Sequence, residues 1–246
     1  MPAKAVDHAG NKRREPADVI RSLLLDEIIR GRLPPGTRLL ERVVATRFTT
    51  SRTPTRQALQ RLTHEGFLVT QGPDARRGEL RVAPLHWGDI AELWQIIGSL
   101  EAIAARRVEL LAVGEREQLA HELRRINAEL RAAWTTHARD PDLAFDLQSS
   151  FHRVMVTTCG GRRLHVVYEA VRPHIERYEW LYGASDASHI VESLAEHEAM
   201  AAAIERGNGM AAALAVTTHW QLAAERSVQV LKTALGPSSL PALLRS

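Results

Sequence analysis

Pro84 separates two stretches of different periodicity, and that break constrains the fold more than any other feature of the chain. Before it, residues 16–30 set Ile20, Leu23, Leu24 and Ile28 at helical spacing, and Gly31 ends the run. Leu33-Pro34-Pro35-Gly36 reads as a turn. Leu39 to Phe48 carries Val43, Val44 and Ala45 in helical register, interrupted by Thr49-Thr50-Ser51. Ser51 stands where a helix N-cap belongs, and Pro54 is tolerated in the first turn that follows. That helix puts Ala58, Leu59 and Leu62 on one face and stops at Glu65-Gly66. Phe67 to Thr70 and Leu80 to Val82 then read as two strands around a tight loop from Gly72 to Gly78. Three helices and a hairpin within about 70 residues outline a winged helix-turn-helix.

Beyond Pro84 the strand signals cease. Helical patterns run over about 89–110, 115–138, 142–158, 162–182, 187–206 and 209–235. They are separated by short breaks such as Arg139-Asp140-Pro141, Gly160-Gly161 and Gly207-Asn208-Gly209. Short breaks favour antiparallel neighbours. The fold expected is therefore mainly α, an N-terminal winged helix-turn-helix plus a C-terminal antiparallel α-helical bundle. The expected divisions are a flexible tail over 1–15, the winged helix over 16–84, a helical ligand-binding and dimerisation domain over 85–236, and an irregular tail over 237–246.

Composition agrees with a helical, ordered chain: 45% of residues are hydrophobic and only 5% aromatic. No apolar run approaches the ~18 residues of a membrane span. The first residues, MPAKAVDHAGNKRREP, have no apolar segment after their basic ones, so no secretory leader is expected. The single cysteine, Cys159, rules out an internal disulfide and fits a reducing, cytoplasmic setting, and it reads as structural. Charge is unevenly divided. Residues 1–84 hold 16 Lys and Arg against 9 Asp and Glu, a balance of +7, whereas 85–246 hold 16 against 20, a balance of −4. A basic head on a mildly acidic body points to a polyanion-binding module.

The segment Thr49-Thr50-Ser51-Arg52-Thr53-Pro54-Thr55-Arg56-Gln57-Ala58-Leu59 gives that charge a chemistry. Arg52 and Arg56 are four apart and project from one face, opposite Ala58, Leu59 and Leu62. Arginine can bind guanine O6 and N7 with two hydrogen bonds, and a helix N-terminus can hold phosphate. Together with Leu33-Pro34-Pro35-Gly36-Thr37-Arg38-Leu39, Leu40-Glu41-Arg42 and Glu65-Gly66, this segment resembles the DNA-binding domain of the GntR superfamily of bacterial transcription regulators. The resemblance spans residues 18–83. It implies a recognition helix in the major groove, with Arg42, Arg52, Thr53, Thr55 and Arg56 as DNA-contacting positions and Gly72, Arg76 and Arg77 in the wing. It also implies a homodimer on an inverted-repeat operator.

In the second half, His152, His197 and His219 fall on three different predicted helices, with Gln148 one turn before His152. Converging imidazoles can hold a divalent transition metal such as Zn²⁺ or Ni²⁺, although an isolated histidine is more often a hydrogen-bonded core residue. Phe151-His152, the stretch from Glu196-His197 through Ala203-Ile204, Gly207-Asn208, Ala212 and His219 resemble the FCD effector domain of FadR-like GntR regulators. That resemblance spans about 89–235. It implies a helical bundle around a cavity in which the three histidines and an aspartate bind a metal that in turn holds a carboxylate metabolite. Here the aspartate position is Gln148, Ile97 stands where many members have an arginine, and Trp220 falls beside the pocket. These departures point away from the usual carboxylate effector, towards a more apolar or neutral ligand or a metal-free pocket. Glu101, Arg106, Arg107, Glu122, Arg125 and Glu129 read as solvated, paired faces.

The function expected is a transcription regulator, not an enzyme, whose operator affinity is set by a small-molecule effector, with metal assistance. Two other readings stay open on the residues alone. One is a metal-dependent enzyme fused to a DNA-binding head, with Glu198 as a candidate base. The other is a constitutive DNA-binding protein without effector.

Overall fold

The computed structural model describes residues 15–71, 79–86, 88–135, 140–185 and 189–235. Chain contacts divide it into two compact units, residues 1–28 with 32–84, and residues 29–31 with 85–246.

The first unit opens with helix α1, Pro16–Ile29. Proline at the first helical position costs no hydrogen bond, and Ala17, Ile20, Leu24 and Ile28 bury one stripe. Helix α2, Glu41–Arg47, turns through Phe48 to Ser51 into helix α3, Arg52–His64. Thr49 adopts φ 49° in that turn, a left-handed conformation unusual for a β-branched residue. Ser51 has the extended backbone of an N-cap, yet its side chain makes no capping bond. Gly66, at φ 82°, turns the chain from α3 into strand β1, Leu68–Gln71. Strand β2, Glu79–Val82, pairs with β1 antiparallel, from Leu68 opposite Val82 to Gln71 opposite Glu79. Arg38 adds a single bridge to Arg81 on the other side of β2. The core is Leu24, Ile28, Ala58, Leu59, Leu62, Phe67, Leu68 and Val82.

The second unit is helical throughout its described residues. Helix α4, Asp89–Arg106, ends in a 3₁₀ turn, Arg107–Leu110, so the helix expected over 89–110 tightens in its last turn. Helices α5, Val113–Thr135, α6, Pro141–Cys159, α7, Arg162–Ser185, α8, Ile190–Glu205, and α9, Gly209–Leu235, follow. Asp140 caps α6 by accepting a hydrogen bond from the Leu143 amide at 2.9 Å. Helix α4 packs on α9, α6 and α7, and α5 packs on α6 and α8. Gly98 lets α4 approach α9 closely, because a Cβ there would lie 3.0 Å from that of Trp220. Cys159 is buried and free, with burial pushing its thiol up to about 11, as a structural cysteine requires. No described helix is long and apolar enough to cross a membrane.

Leu62 is fully buried at the centre of the first unit. Leu62→Ala is expected to destabilise that unit by about 2–5 kcal/mol, read from urea unfolding followed by circular dichroism.

Candidate functional site

The three histidines come from the buried faces of α6, α8 and α9. Their ligand nitrogens all lie within 4.8 Å of one another, and each side chain is closed to solvent. What orients them is a set of acceptors for their Nδ1 atoms. His152 Nδ1 donates to Glu101 Oε2 at 2.7 Å, and His219 Nδ1 donates to Glu196 Oε2 at 2.7 Å. His197 Nδ1 lies 3.1 Å from Asn127 Oδ1. The Asn127 amide nitrogen is committed to the Leu194 carbonyl at 3.0 Å, so its oxygen is the acceptor and His197 the donor. Each Nδ1 is thereby committed to an acceptor, which in a neutral ring leaves the lone pair on Nε2. His197 Nε2 is buried without a hydrogen-bond partner. Phe151 stacks on the His197 ring at 3.9 Å and fixes its plane.

Burial holds His197 and His219 towards the uncharged form. Burial lowers the His197 pKa well below its ordinary value, and the neighbouring His219 and His152 lower it further. Burial also lowers that of His219, against the opposing pull of Glu196. Burial works to raise the Glu196 carboxyl, but hydrogen bonds from His219 and Arg226 outweigh it and hold the group at about 2. Arg226 grips Glu196 through both terminal nitrogens, at 2.6 and 2.9 Å. Three buried imidazoles with converging nitrogens and carboxylate or amide acceptors behind them are the donor set that a borderline divalent cation takes. Gln148 Nε2 lies 3.2 Å from His152 Nε2, and a half-turn of the amide presents its oxygen at the same place.

A cavity of about 110 Å³ adjoins this cluster. His219, Gln148, Glu179 and Arg226 give it polar groups, and Trp94, Trp134, Trp180 and Trp220 supply aromatic wall.

In the first unit, Arg42, Arg52, Thr53 and Arg56 are exposed on α2 and the start of α3. Arg56 is held by Glu41 at 3.0 and 3.1 Å, and Arg52 adds to the positive field there. An exposed pair of this kind is a weak, exchangeable contact.

A family model described as bacterial regulatory proteins, gntR family, matches residues 16–74, and an FCD domain model matches residues 92–222. The chain belongs to the GntR family, with an FCD domain as its helical part. Among curated relatives of this GntR regulator, the "Probable D-xylose utilization operon transcriptional repressor" of Paenarthrobacter nicotinovorans is 28% identical over 82% of this chain and 84% of its own. An uncharacterized HTH-type transcriptional regulator of Bacillus subtilis (strain 168), YdhC, is 28% identical over 83% of this chain and 88% of its own. The solved structure of E. coli McbR/YncC matches the fold with a TM-score of 0.71 at 20% identity, covering 87% of this chain and 98% of that one. Lar, which controls the expression of the Listeria monocytogenes agr system, matches with a TM-score of 0.56 at 15% identity, covering 89% and 99%.

Several residues of this GntR regulator sit differently from their sequence reading. Thr55 is fully buried and donates its hydroxyl to the Ser51 carbonyl at 3.0 Å, so its side chain is closed to a base or phosphate. Its spacing from Ala58, Leu59 and Leu62 already places it on the apolar stripe. Ile97 is fully buried in the core and is not part of the cavity wall, because it faces the bundle interior beside Gly98. Glu101 is no solvated residue: it is fully buried, and it also accepts hydrogen bonds from Trp220 Nε1 at 2.9 Å and Tyr168 at 3.3 Å. Glu198 follows His197 in sequence but turns outward to Arg124 at 2.8 Å, which removes the candidate base from the cluster. Arg125 pairs with Glu122 and Glu129 on the exposed face of α5, as expected. Gly72, Arg76 and Arg77 lie outside the described residues, as do the tails over 1–14 and 236–246. Sequence reading missed Asn127, Glu196, Arg172 and Glu179.

Glu101→Ala leaves the His152 Nδ1–H and Trp220 Nε1–H donors buried and unpaired. Each stranded donor costs about 1–3 kcal/mol, so a lowered urea midpoint worth about 2–6 kcal/mol is expected in the helical domain.

Proposed function

We propose that this GntR-family regulator binds an inverted-repeat operator as a homodimer and releases it when a small effector occupies the helical domain beside a histidine-held divalent metal. The observation that carries the reading is the convergence of His152, His197 and His219 with the buried, unpartnered His197 Nε2 among them. A donor set of three buried imidazoles whose outer nitrogens are already bonded suits Zn²⁺ or Ni²⁺. Gln148 contributes a neutral amide in place of a carboxylate, which weakens the site for hard cations. When bound, the metal supplies a positive centre at the edge of the cavity. The chain's own residues do the rest: Glu101, Asn127 and Glu196 fix the histidine rings, and the indoles form the cavity wall.

The winged helix supports the DNA half of this reading. Arg52 and Arg56 project from the N-terminal turns of α3, where base edges are met, and Arg42 and Thr53 flank them. The name of the Paenarthrobacter relative supports repression as the mode of action. An effector alters operator affinity only by binding one conformation better than another.

Two measurements test the two halves separately. In a gel-shift titration on the operator, Arg52→Ala and Arg56→Ala are each expected to weaken binding about ten- to hundredfold, and unchanged affinity removes the assigned recognition face. Elemental analysis of the purified protein is expected to find about one divalent transition metal per chain, with a melting temperature about 5–10 °C lower after chelation. Loss of that metal in His197→Ala with unchanged operator affinity assigns the ion to the helical site. Metal-free protein that chelator does not destabilise rejects the metal.

A further inference from the structure

Arg42, Arg52 and Arg56 are exposed on α2 and the first turns of α3, and they are not held alike. The guanidinium groups of Arg42 and Arg52 make no hydrogen bond among the described residues. That of Arg56 is gripped: its Nε donates to Glu41 Oε2 at 3.0 Å and its Nη2 to Glu41 Oε1 at 3.1 Å. Glu41 begins α2, so the grip joins the two helices of the helix-turn-helix. Val44 and Ala45 of α2 and Thr55, Ala58 and Leu59 of α3 are buried where the helices pack. Both side chains therefore spring from fixed backbone.

A guanidinium has two edges that can donate paired hydrogen bonds, Nε with Nη2 along the side and Nη1 with Nη2 at the end. Glu41 takes the side edge. The end edge is left open, and it is the fork that can bind guanine O6 and N7. A carboxylate that took the end edge would block base reading. Glu41 stays charged in this position. The hydrogen bond from Arg56 outweighs burial and, with the charges of Arg56 and Arg52, holds its carboxyl below the ordinary range. The pair is exposed and adds little to folding. Its effect is on order. A free arginine gives up rotamer freedom when it reaches a base, and a partner that holds it beforehand removes part of that cost. The carboxylate also repels phosphates, so it penalises binding in which Arg56 finds no base to meet.

We propose that Glu41 is a positioning residue for DNA reading: it holds Arg56 by its side edge so that the end-on fork meets a guanine, and it sharpens discrimination at that one base pair without touching DNA itself. The inference rests on the reading of α3 as the helix that enters the major groove.

The probe is a duplex selected from a randomised DNA pool by the full-length protein. Gel shift gives affinities for that duplex, for each single-base-pair substitution in it, and for an unrelated duplex of equal length. Arg56→Ala identifies the base pair that Arg56 reads, as the position where discrimination is lost. Glu41→Gln keeps the side-chain shape and removes the charge. It is expected to lower discrimination at that same base pair about two- to tenfold and to leave the other positions as in the wild type. Its affinity for the unrelated duplex is expected to equal or exceed that of the wild type. In an Arg56→Ala background, Glu41→Gln is expected to change discrimination nowhere, and both variants are expected to keep the wild-type circular dichroism. Tighter binding of the selected duplex with undiminished discrimination overturns the proposal, because Glu41 then masks Arg56. Equal loss at every base pair also overturns it, because Glu41 then acts on the whole head. Discrimination that survives in Arg56→Ala refutes the reading of α3 and the inference with it. Discrimination lost in Arg56→Ala but intact in Glu41→Gln refutes the inference alone.

Discussion

The helical domain is organised around one buried carboxylate, that of Glu101. Its Oε2 accepts hydrogen bonds from His152 of α6 and Trp220 of α9, and its Oε1 from Tyr168 of α7, while Glu101 itself belongs to α4. Four helices thus meet at two oxygen atoms. Burial alone would raise this carboxyl, but the attraction and hydrogen bond of His152, with Arg172 and Trp220 behind them, hold it below its ordinary range. It therefore stays an acceptor. An acceptor at this point does two jobs: it fixes the proton of His152 on Nδ1, and it orients an indole that forms cavity wall. The metal-type cluster and the aromatic cavity are mechanically one object, because moving either moves Glu101.

Glu196 repeats the arrangement at the other end of the cluster. It accepts from His219 and from both terminal nitrogens of Arg226, and Arg226 and His219 each line the cavity. Asn127 does the same for His197 with a neutral amide, whose other end is bonded to the Leu194 carbonyl of α8. Three different side chains solve one problem, which is to hold an imidazole with its inner nitrogen unprotonated. Only the two carboxylates bring charge. The inner surface is thus graded from negative behind His152 and His219 to neutral behind His197, and the unpartnered nitrogen belongs to the neutral one.

Most elements were legible because their apolar stripes are regular. The run expected over 209–235 is α9 to the residue, and the run over 162–182 falls short of α7 by three residues. The 3₁₀ turn at Arg107 was not legible, since its apolar spacing continues that of α4. Two misread residues, Glu101 and Thr55, and one missed, Asn127, share one cause: a polar residue in the middle of an apolar stripe was taken at its usual surface value. Glu101 is in register with Trp94, Ile97, Gly98, Ala104 and Ala105, which are all buried. Asn127 keeps register with Leu123, Ile126 and Leu130, and Thr55 with Ala58, Leu59 and Leu62. The periodicity that located the helices also marked these positions as interior. A polar residue found there must have a partner, and asking for the partner would have led from Glu101 to His152. Arg172 and Glu179 were harder, because α7 mixes polar and apolar residues on every face and its stripe is not clear in sequence.

A folded domain carries a stranded polar atom at a cost of about 1–3 kcal/mol. Two of the buried atoms here that lack a well-aligned hydrogen bond are His197 Nε2 and Glu179 Oε2, but the second is met by the Arg172 guanidinium at 2.7 Å. The His197 lone pair is therefore a cost that the fold carries inside a cluster of three imidazoles. The two atoms differ in what they accept. An imidazole lone pair among two others suits a cation, and a carboxylate oxygen suits a hydrogen-bond donor. Trp220 connects the two regions: its Nε1 donates to Glu101, the acceptor of His152, and its ring lies 5.7 Å from the Arg172 guanidinium that pairs with Glu179. A displacement of Trp220 therefore disturbs both the hydrogen bonds behind the histidines and the buried ion pair. That linkage is a physical basis for a domain whose rigidity, and not only its contacts, changes when it is filled.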